Sequence, residues 1–233
     1  MNKFAPLVFL LLLSCGAALW FLASDSLNFH IKNQLQNIGS ELTEQKLTVE
    51  NVTTLGYQGT GTITNLSITP SDSTNLSTTD KATLSIASID LVMNHKSLKT
   101  ELVIIESITI NGLIASFHLN NDGTTLDNLL EIVQKNIKKL TVQENTKDQK
   151  EQLQIAVPLI KVSQIFIKQG TLNLINDKNE PIITKALSQI QFEIAGDEAG
   201  NKAETIGVEI FEKLLVELNK QTSMLLSELS ETM

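Results

Sequence analysis

Apolar and polar positions follow four successive patterns along the chain. From Phe4 to Ala23 the run is almost unbroken, with 17 of 20 residues hydrophobic and none charged. About 20 such residues match a hydrocarbon core of about 30 Å, so the segment predicts a transmembrane helix. Leu27, Ile31, Leu35, Ile38 and Leu42 then recur at intervals of four, four, three and four, one stripe of an amphipathic helix. From Lys46 to Leu119 the period drops to two. Leu47 alternates with Val49, Leu66 with Ile68, and Leu84 with Ile86. Further runs are Ile89, Leu91 and Met93, then Ile108 and Ile110, then Leu113, Ala115, Phe117 and Leu119. Most intervening positions are Thr, Ser, Asn or Asp, the pattern of an antiparallel sheet that is wet on one face. Gly56, Gly59 and Gly61, Pro70 with Ser71-Asp72-Ser73, and Asn111-Gly112 predict turns or bulges.

Helical spacing returns at Leu126, Leu129, Leu130, Val133, Ile137 and Leu140, with Thr125 or Asp127 as the N-cap. Thr141 to Gln152 holds one apolar residue, Val142, and reads as a polar linker or an exposed helical extension. A second β-block pairs Ile155 with Val157, Ile165 with Ile167, Leu172 with Leu174, and Ile190 with Phe192 and Ile194. After a turn-rich break at Gly196 to Asn201, Ile206, Ile210, Leu214, Leu218, Leu225 and Leu229 form the stripe of a C-terminal helix. The expected segments are therefore an anchor at 1–23, an amphipathic helix at 24–45, and a first β-block with its helix at 46–140. A linker at 141–152, a second β-block at 153–200 and a helix at 201–233 complete the chain. The fold class is mainly β with flanking helices (α+β), the sheet antiparallel and curved. The two blocks echo each other weakly: Ile108-Thr109-Ile110 before Gly112 parallels Ile165-Phe166-Ile167 before Gly170, and Leu84 to Met93 parallels Leu187 to Ile194.

Composition narrows the classes. The 233 residues carry a net charge of −8, all 18 basic residues are lysine, and aromatics make up 4%. No nucleic-acid partner is expected, since phosphate recognition favours a basic face and base stacking wants exposed aromatics. A lone Cys15 excludes a disulfide scaffold. Lys3 before the apolar run and Asp25 after it put the N-terminus in the cytoplasm by the positive-inside rule. The rest then lies across an inner membrane, in the periplasm, on a single-pass anchor. Two alternatives export the same part. Leu12-Leu13-Ser14-Cys15 would be the lipidation site of a lipoprotein, and Ala18 or Ala23-Ser24 would suit a cleaved signal. Six glutamates against Lys213 and Lys220 in segment 204–231 argue against anionic lipid as the last helix's partner.

The β-blocks carry a resemblance. Ile104-Ile105-Glu106-Ser107-Ile108-Thr109-Ile110-Asn111-Gly112 leads into Phe117-His118-Leu119-Asn120-Asn121-Asp122-Gly123 and then Leu126-Asp127-Asn128-Leu129-Leu130. With an N-terminal membrane segment, opening strands from Leu47 to Ile68 and a later unit from Ile165 to Ile194, this resembles the AsmA-like family of bacterial envelope proteins. That family is related to TamB and to chorein-type lipid-transfer proteins. The resemblance covers roughly residues 1–195 and rests on apolar patterns and turns. It implies a role in envelope lipid or outer-membrane homeostasis, with phospholipid acyl chains or an envelope protein as partner. It also implies an apolar groove, here at Ile108, Ile110, Ala115, Phe117, Leu172, Leu174 and Phe192. Family members that carry lipids are far longer. Nine or so strands at about 4.8 Å give a groove of about 45 Å, short of an envelope-wide span.

Motifs for chemistry are sparse. His30, His95 and His118 have no zinc-type spacing and read as solvated or half-buried surface histidines. Asn120 to Asp127 fails as a calcium loop, because Gly123 in the glycine position puts His118 and Leu129 where ligands belong. It reads as a hairpin or N-cap turn. Gly56 to Gly61 lacks the Lys-Ser or Lys-Thr of a phosphate loop, and no nucleophile elbow is present. No catalytic, cofactor or metal site is expected. The apolar strand face is then either a core covered by the helices at 27–42, 126–140 and 206–229, or a groove left partly open.

Overall fold

The structure, a computed structural model, describes residues 25–55, 58–70, 83–97, 100–120, 123–144, 159–176, 178, 180–192, 200–201 and 203–232. The expected membrane anchor and Cys15 lie outside these residues, as does the Ile155–Val157 run. Among the described residues no helix is long and apolar enough to cross a membrane.

Helix α1 (Asp25–Thr43) leads into strands β1 (Lys46–Leu55), β2 (Thr60–Thr69), β3 (Thr83–Met93) and β4 (Leu102–Phe117). These four form an antiparallel meander in chain order. A small hairpin of β5 (Leu119–Asn120) and β6 (Gly123–Thr124) opens helix α2 (Thr125–Glu144). Strands β7 (Leu159–Val162), β8 (Ile165–Ile167) and β9 (Gly170–Ile175) follow, then β10 (Pro181–Leu187), β11 (Ile190–Phe192) and helix α3 (Ala203–Thr232).

Among the described residues the larger sheet has nine strands, and its central joint is parallel. Leu102 pairs with Leu159, Ile108 with Ile165 and Leu113 with Gly170, so β7, β8 and β9 are one interrupted strand in a single register against β4. Backbone bonds bridge the interruptions: Ser163 N donates to Ile105 O (2.9 Å) and Leu113 N to Gln169 O (2.9 Å). Strands β10 and β11 pair antiparallel with β9 and β8 and make the far edge. The sheet is therefore mixed, not antiparallel throughout as the alternation predicts. Parallel neighbours need a long crossover, and α2 with its flanking chain provides it. Alternation reports that one face of the sheet is wet and only indirectly how its strands run, so a single parallel joint leaves no mark in it. The interrupted strands also make the sheet six strands wide, about 25 Å rather than the expected 45 Å. The echo between the blocks has a structural counterpart, because Ile108-Thr109-Ile110 and Ile165-Phe166-Ile167 lie side by side in register.

The alternation resets along one line. Val49, Leu66, Ile86 and Leu113 are a buried row across β1 to β4, and Val52, Ile63, Ile89, Ile110 and Ile167 are the next. These rows stand three residues apart, not two. The residues between them, at 50–51, 64–65, 87–88 and 111–112, all turn to the other face. Asn65 (φ 49°) and Gly112 (φ 62°) take left-handed backbone on this line. Asn111-Gly112, expected as a turn or a bulge, is neither: β4 runs through it with its register to β3 unchanged, and the shift in that pairing falls instead between Val92 and Met93. Polar side chains knit the outer side of the line. Asn111 Nδ2 donates to Asp90 Oδ2 (2.8 Å) and to Ser88 Oγ (3.1 Å), and Thr62 Oγ1 donates to Asp90 Oδ1 (3.0 Å).

The three helices cover the inner face. Ile31, Leu35, Ile38 and Leu42 of α1, Leu126, Leu129 and Val133 of α2, and Ile206, Leu214, Leu215, Leu218 and Leu225 of α3 are buried. Helix α1 also caps the edge strand β1. Leu47 N donates to Ser40 Oγ (2.8 Å), Val49 N to Gln36 Oε1 (3.4 Å), and Lys32 Nζ to Glu50 O (2.7 Å). Edge backbone that is satisfied this way cannot template another strand. At the other edge Lys185 bonds Glu228 of α3 at 2.8 Å.

The N-cap of α2 is neither Thr125 nor Asp127, the two expected, but the residue before Thr125. Thr124 is the N-cap, with Asp127 Oδ2 accepting from Thr124 N (2.8 Å) and Asp127 N donating to Thr124 Oγ1 (3.2 Å). This reciprocal pair is a capping box. Thr125 serves the preceding loop, where its Oγ1 accepts from His118 N at 3.0 Å. His118 is buried (4% exposed), not a surface histidine, because the hairpin folds it beneath the start of α2. His95 is exposed as expected, and the side chain of His30 lies outside the described set.

Candidate functional site

Wherever the alternation resets, the inner face loses a row of side chains. Three residues span about 10 Å of strand, whereas two span about 7 Å. The extra length opens the packing between these rows, and a cavity lies over this part of the face, reaching from Leu84 to Leu91 along β3. Its floor is Leu47, Leu66, Leu84, Ile86, Ile89, Leu91, Ile108 and Ile110. Leu35, Ile38, Gly39 and Leu42 of α1 and Gly207, Ile210, Phe211 and Leu214 of α3 form its walls and roof. Ile86 and Ile89 flank the reset line directly. Helix α1 can press close because residue 39 is glycine: an added Cβ would collide with the Leu47 side chain.

The cavity holds about 90 Å³ and, among the described residues, is lined by aliphatic side chains, two glycines and one aromatic, with no polar side chain. Space of this kind stays dry, since water needs two to four polar partners. At about 24 cal/mol per Å³ an empty cavity of this size costs on the order of 2 kcal/mol. An apolar guest would recover that and add its own transfer out of water.

Of the residues expected to form a groove, Ile108 and Ile110 line the cavity. Ala115, Phe117 and Leu172 are completely buried (0%), Leu174 is buried, and Phe192 is half-buried against the same core. The covered part of the face thus lies toward the C-terminal end of β4 and along β9, and the cavity toward β1–β3. The lining residues that the expected groove omitted are Leu47, Leu66, Leu84, Ile86, Ile89 and Leu91 of the strands and all the helical ones. Leu35, Ile38 and Leu42 belong to the legible stripe of α1, and Ile210 and Leu214 to that of α3. Only the reset line tells which part of each stripe meets a gap rather than side chains. The signal was present as the three-residue step in Val49 to Val52, Ile63 to Leu66, Ile86 to Ile89 and Ile110 to Leu113.

Elsewhere the titratable groups are dispersed. Among the described residues no group of three or more His, Cys, Asp or Glu side chains is placed to hold a metal ion. His118 Nε2 is buried and finds no hydrogen-bond partner among the described residues. Asp90, the hub of the outer polar ladder, bonds only to Thr62, Ser88 and Asn111 in that ladder. Neither arrangement pairs a nucleophile with a base. Compared with known proteins, the chain matches no protein-family model, no curated protein and no solved structure.

Proposed function

We propose that this chain is a membrane-anchored envelope protein of AsmA-like character that shelters lipid acyl chain in the interior beneath α1 and α3. The role is lipid binding or service to a larger lipid-handling machine, with no chemical step. The apolar segment from Phe4 to Ala23, with Lys3 ahead of it, supports an inner-membrane anchor that leaves the β-domain in the periplasm. The observation that carries the reading is the cavity of about 90 Å³, whose described lining is made of apolar side chains and glycines. Buried polar atoms would impose a headgroup or a reaction. Their absence from the described lining favours a guest that is nothing but hydrocarbon.

The full-length chain, extracted from bacterial membranes in digitonin, is expected to carry co-purifying phospholipid or fatty acid, measured by mass spectrometry of an organic extract. A photo-crosslinker at Ile110 should label an acyl chain. Clean extracts together with no label would sink the proposal.

A second reading, an interaction module with a covered sheet, draws support from Val216 and Met224. These stand exposed (47% and 46%) on the solvent side of α3. Under it, Val216→Lys with Met224→Lys would abolish a defined protein complex and leave bound lipid unchanged.

A further inference from the structure

Two exposed apolar side chains stand at opposite ends of the domain. Phe29, near the start of α1, is 64% exposed, and Leu119, on the hairpin after β4, is 53% exposed. Single exposed apolar residues are ordinary. What sets Phe29 apart is its place on the helix. Ile31, Leu35, Ile38 and Leu42 face the core, so the stripe at 29, 33, 37 and 41 faces away from it. Asn33, Asn37 and Glu41 follow Phe29 on that stripe, Asn37 and Glu41 fully exposed. The outward stripe is thus polar except where α1 begins.

Connectivity says what lies beside that beginning. The apolar run ends at Ala23 and α1 starts at Asp25, with Ser24 alone between them. One residue spans under about 4 Å, so the start of α1 cannot leave the surface that holds the run. Phe29 is six residues past Ala23, about 9 Å along a continuing helix. The polar layer of a bilayer is about 5–8 Å deep on each side, half the difference between a core of about 30 Å and a whole of about 40–45 Å. Phe29 therefore comes to the level where aromatic rings collect. Helix α1 then runs back along β1, with Lys32 bonded to Glu50 O and Ser40 to Leu47 N. Its first turns lie at the end of the sheet where Leu55 pairs with Thr60 and Thr60 with Val92. Thr83 pairs with Ser116 at the other end, beside the Leu119 hairpin. The 19 residues of α1 separate the two ends by about 28 Å.

Resting on the membrane anchor proposed above, we infer that the first turns of α1 are a contact surface for the phospholipid bilayer, with Phe29 set into its polar layer. The domain stands on the membrane by this end. The hairpin at Leu119 is held away from the bilayer, free for the aqueous side.

The test places the full-length chain in phosphatidylcholine vesicles whose lipid carries bromine, a contact quencher of tryptophan, either next to the headgroup or at mid-chain. Trp20, the sole tryptophan, reports the anchor. In a Trp20→Phe background, Phe29→Trp, Asn37→Trp and Leu119→Trp report the near end, the same helix face two turns on, and the far end. All three sites are exposed, so the urea midpoint should not move. Phe29→Trp should lose emission about twofold to the shallow bromines and less to the deep ones. Asn37→Trp and Leu119→Trp should emit as in unbrominated vesicles. Trp20 quenched with Phe29→Trp untouched would overturn the contact and leave the anchor standing. Quenching of Asn37→Trp or Leu119→Trp as strong as that of Phe29→Trp would overturn the upright posture and the inference with it. Trp20 untouched by either lipid would overturn the anchor itself.

Discussion

Gly112 sits on the reset line with a φ of 62°, and a Cβ there would lie 2.7 Å from the Cβ of Ala87 on β3. Left-handed backbone costs an L-residue about 1–2 kcal/mol, and the contact adds a steric term. Gly112→Ala is therefore expected to destabilise the fold by about 2–3 kcal/mol, seen as a lowered urea midpoint with an unchanged slope. Adding Ala87→Gly should return part of that loss, because only the steric share depends on residue 87. A loss below about 0.5 kcal/mol would mean the line is not held by this glycine. Asn65, the other left-handed residue on the line, needs no glycine. Asparagine tolerates this conformation, and its side chain bonds Glu50 across to β1. The same residues explain what was legible. Asn111-Gly112 announced a departure from regular strand, but its neighbours on β1, β2 and β3 carry Glu, Asn, Thr, Ala and Ser, which mark nothing by type. Only the three-residue apolar step, repeated from strand to strand, shows that the departures line up.

Elements hold together here by helices serving other elements. Asn136 of α2 is buried and donates from Nδ2 to Leu42 O (3.1 Å), Glu41 O (3.4 Å) and Glu44 Oε1 (3.3 Å), at the C-terminal end of α1. The last carbonyls of a helix have no partner within it, and a buried carbonyl left without one costs about 1–3 kcal/mol. Asn136→Leu should destabilise by that amount. Hydrogen exchange should show the loss locally, as faster exchange in the last two turns of α1, where Ile38 and Leu42 wall the cavity. Uniform acceleration across the sheet would contradict a capping role. Helices α1 and α3 were legible because their stripes are long and regular. The partnership between α1 and α2 was not, since Asn136 lies among Ile137, Lys138 and Lys139 with nothing in its spacing to connect it with residue 42. Strand direction was hidden for a related reason: the parallel joint depends on where α2 delivers the chain.

The whole molecule joins both β-blocks into one sheet with one interior, although the sequence reads as two blocks divided by a polar linker. Helix α3 closes that interior. It buries Ile206, Leu214, Leu215, Leu218 and Leu225, and each large aliphatic side chain taken out of water contributes about 1.5–3 kcal/mol. Five of them together amount to about 8–15 kcal/mol, as much as the entire stability of an ordinary domain. A chain ending at residue 202 is therefore expected to lose its cooperative unfolding transition and to bind a hydrophobic dye, not merely to lose a partner. Were α3 an arm held clear of the sheet, the shortened chain would unfold cooperatively within about 2 kcal/mol of the full one. The buried residues of α3 argue against that, and both functional readings keep α3 on the sheet. The acidic, solvent-facing side of α3, with Glu209 and Glu217 engaged by Lys213 and Lys220, then keeps a long hydrophobic roof soluble.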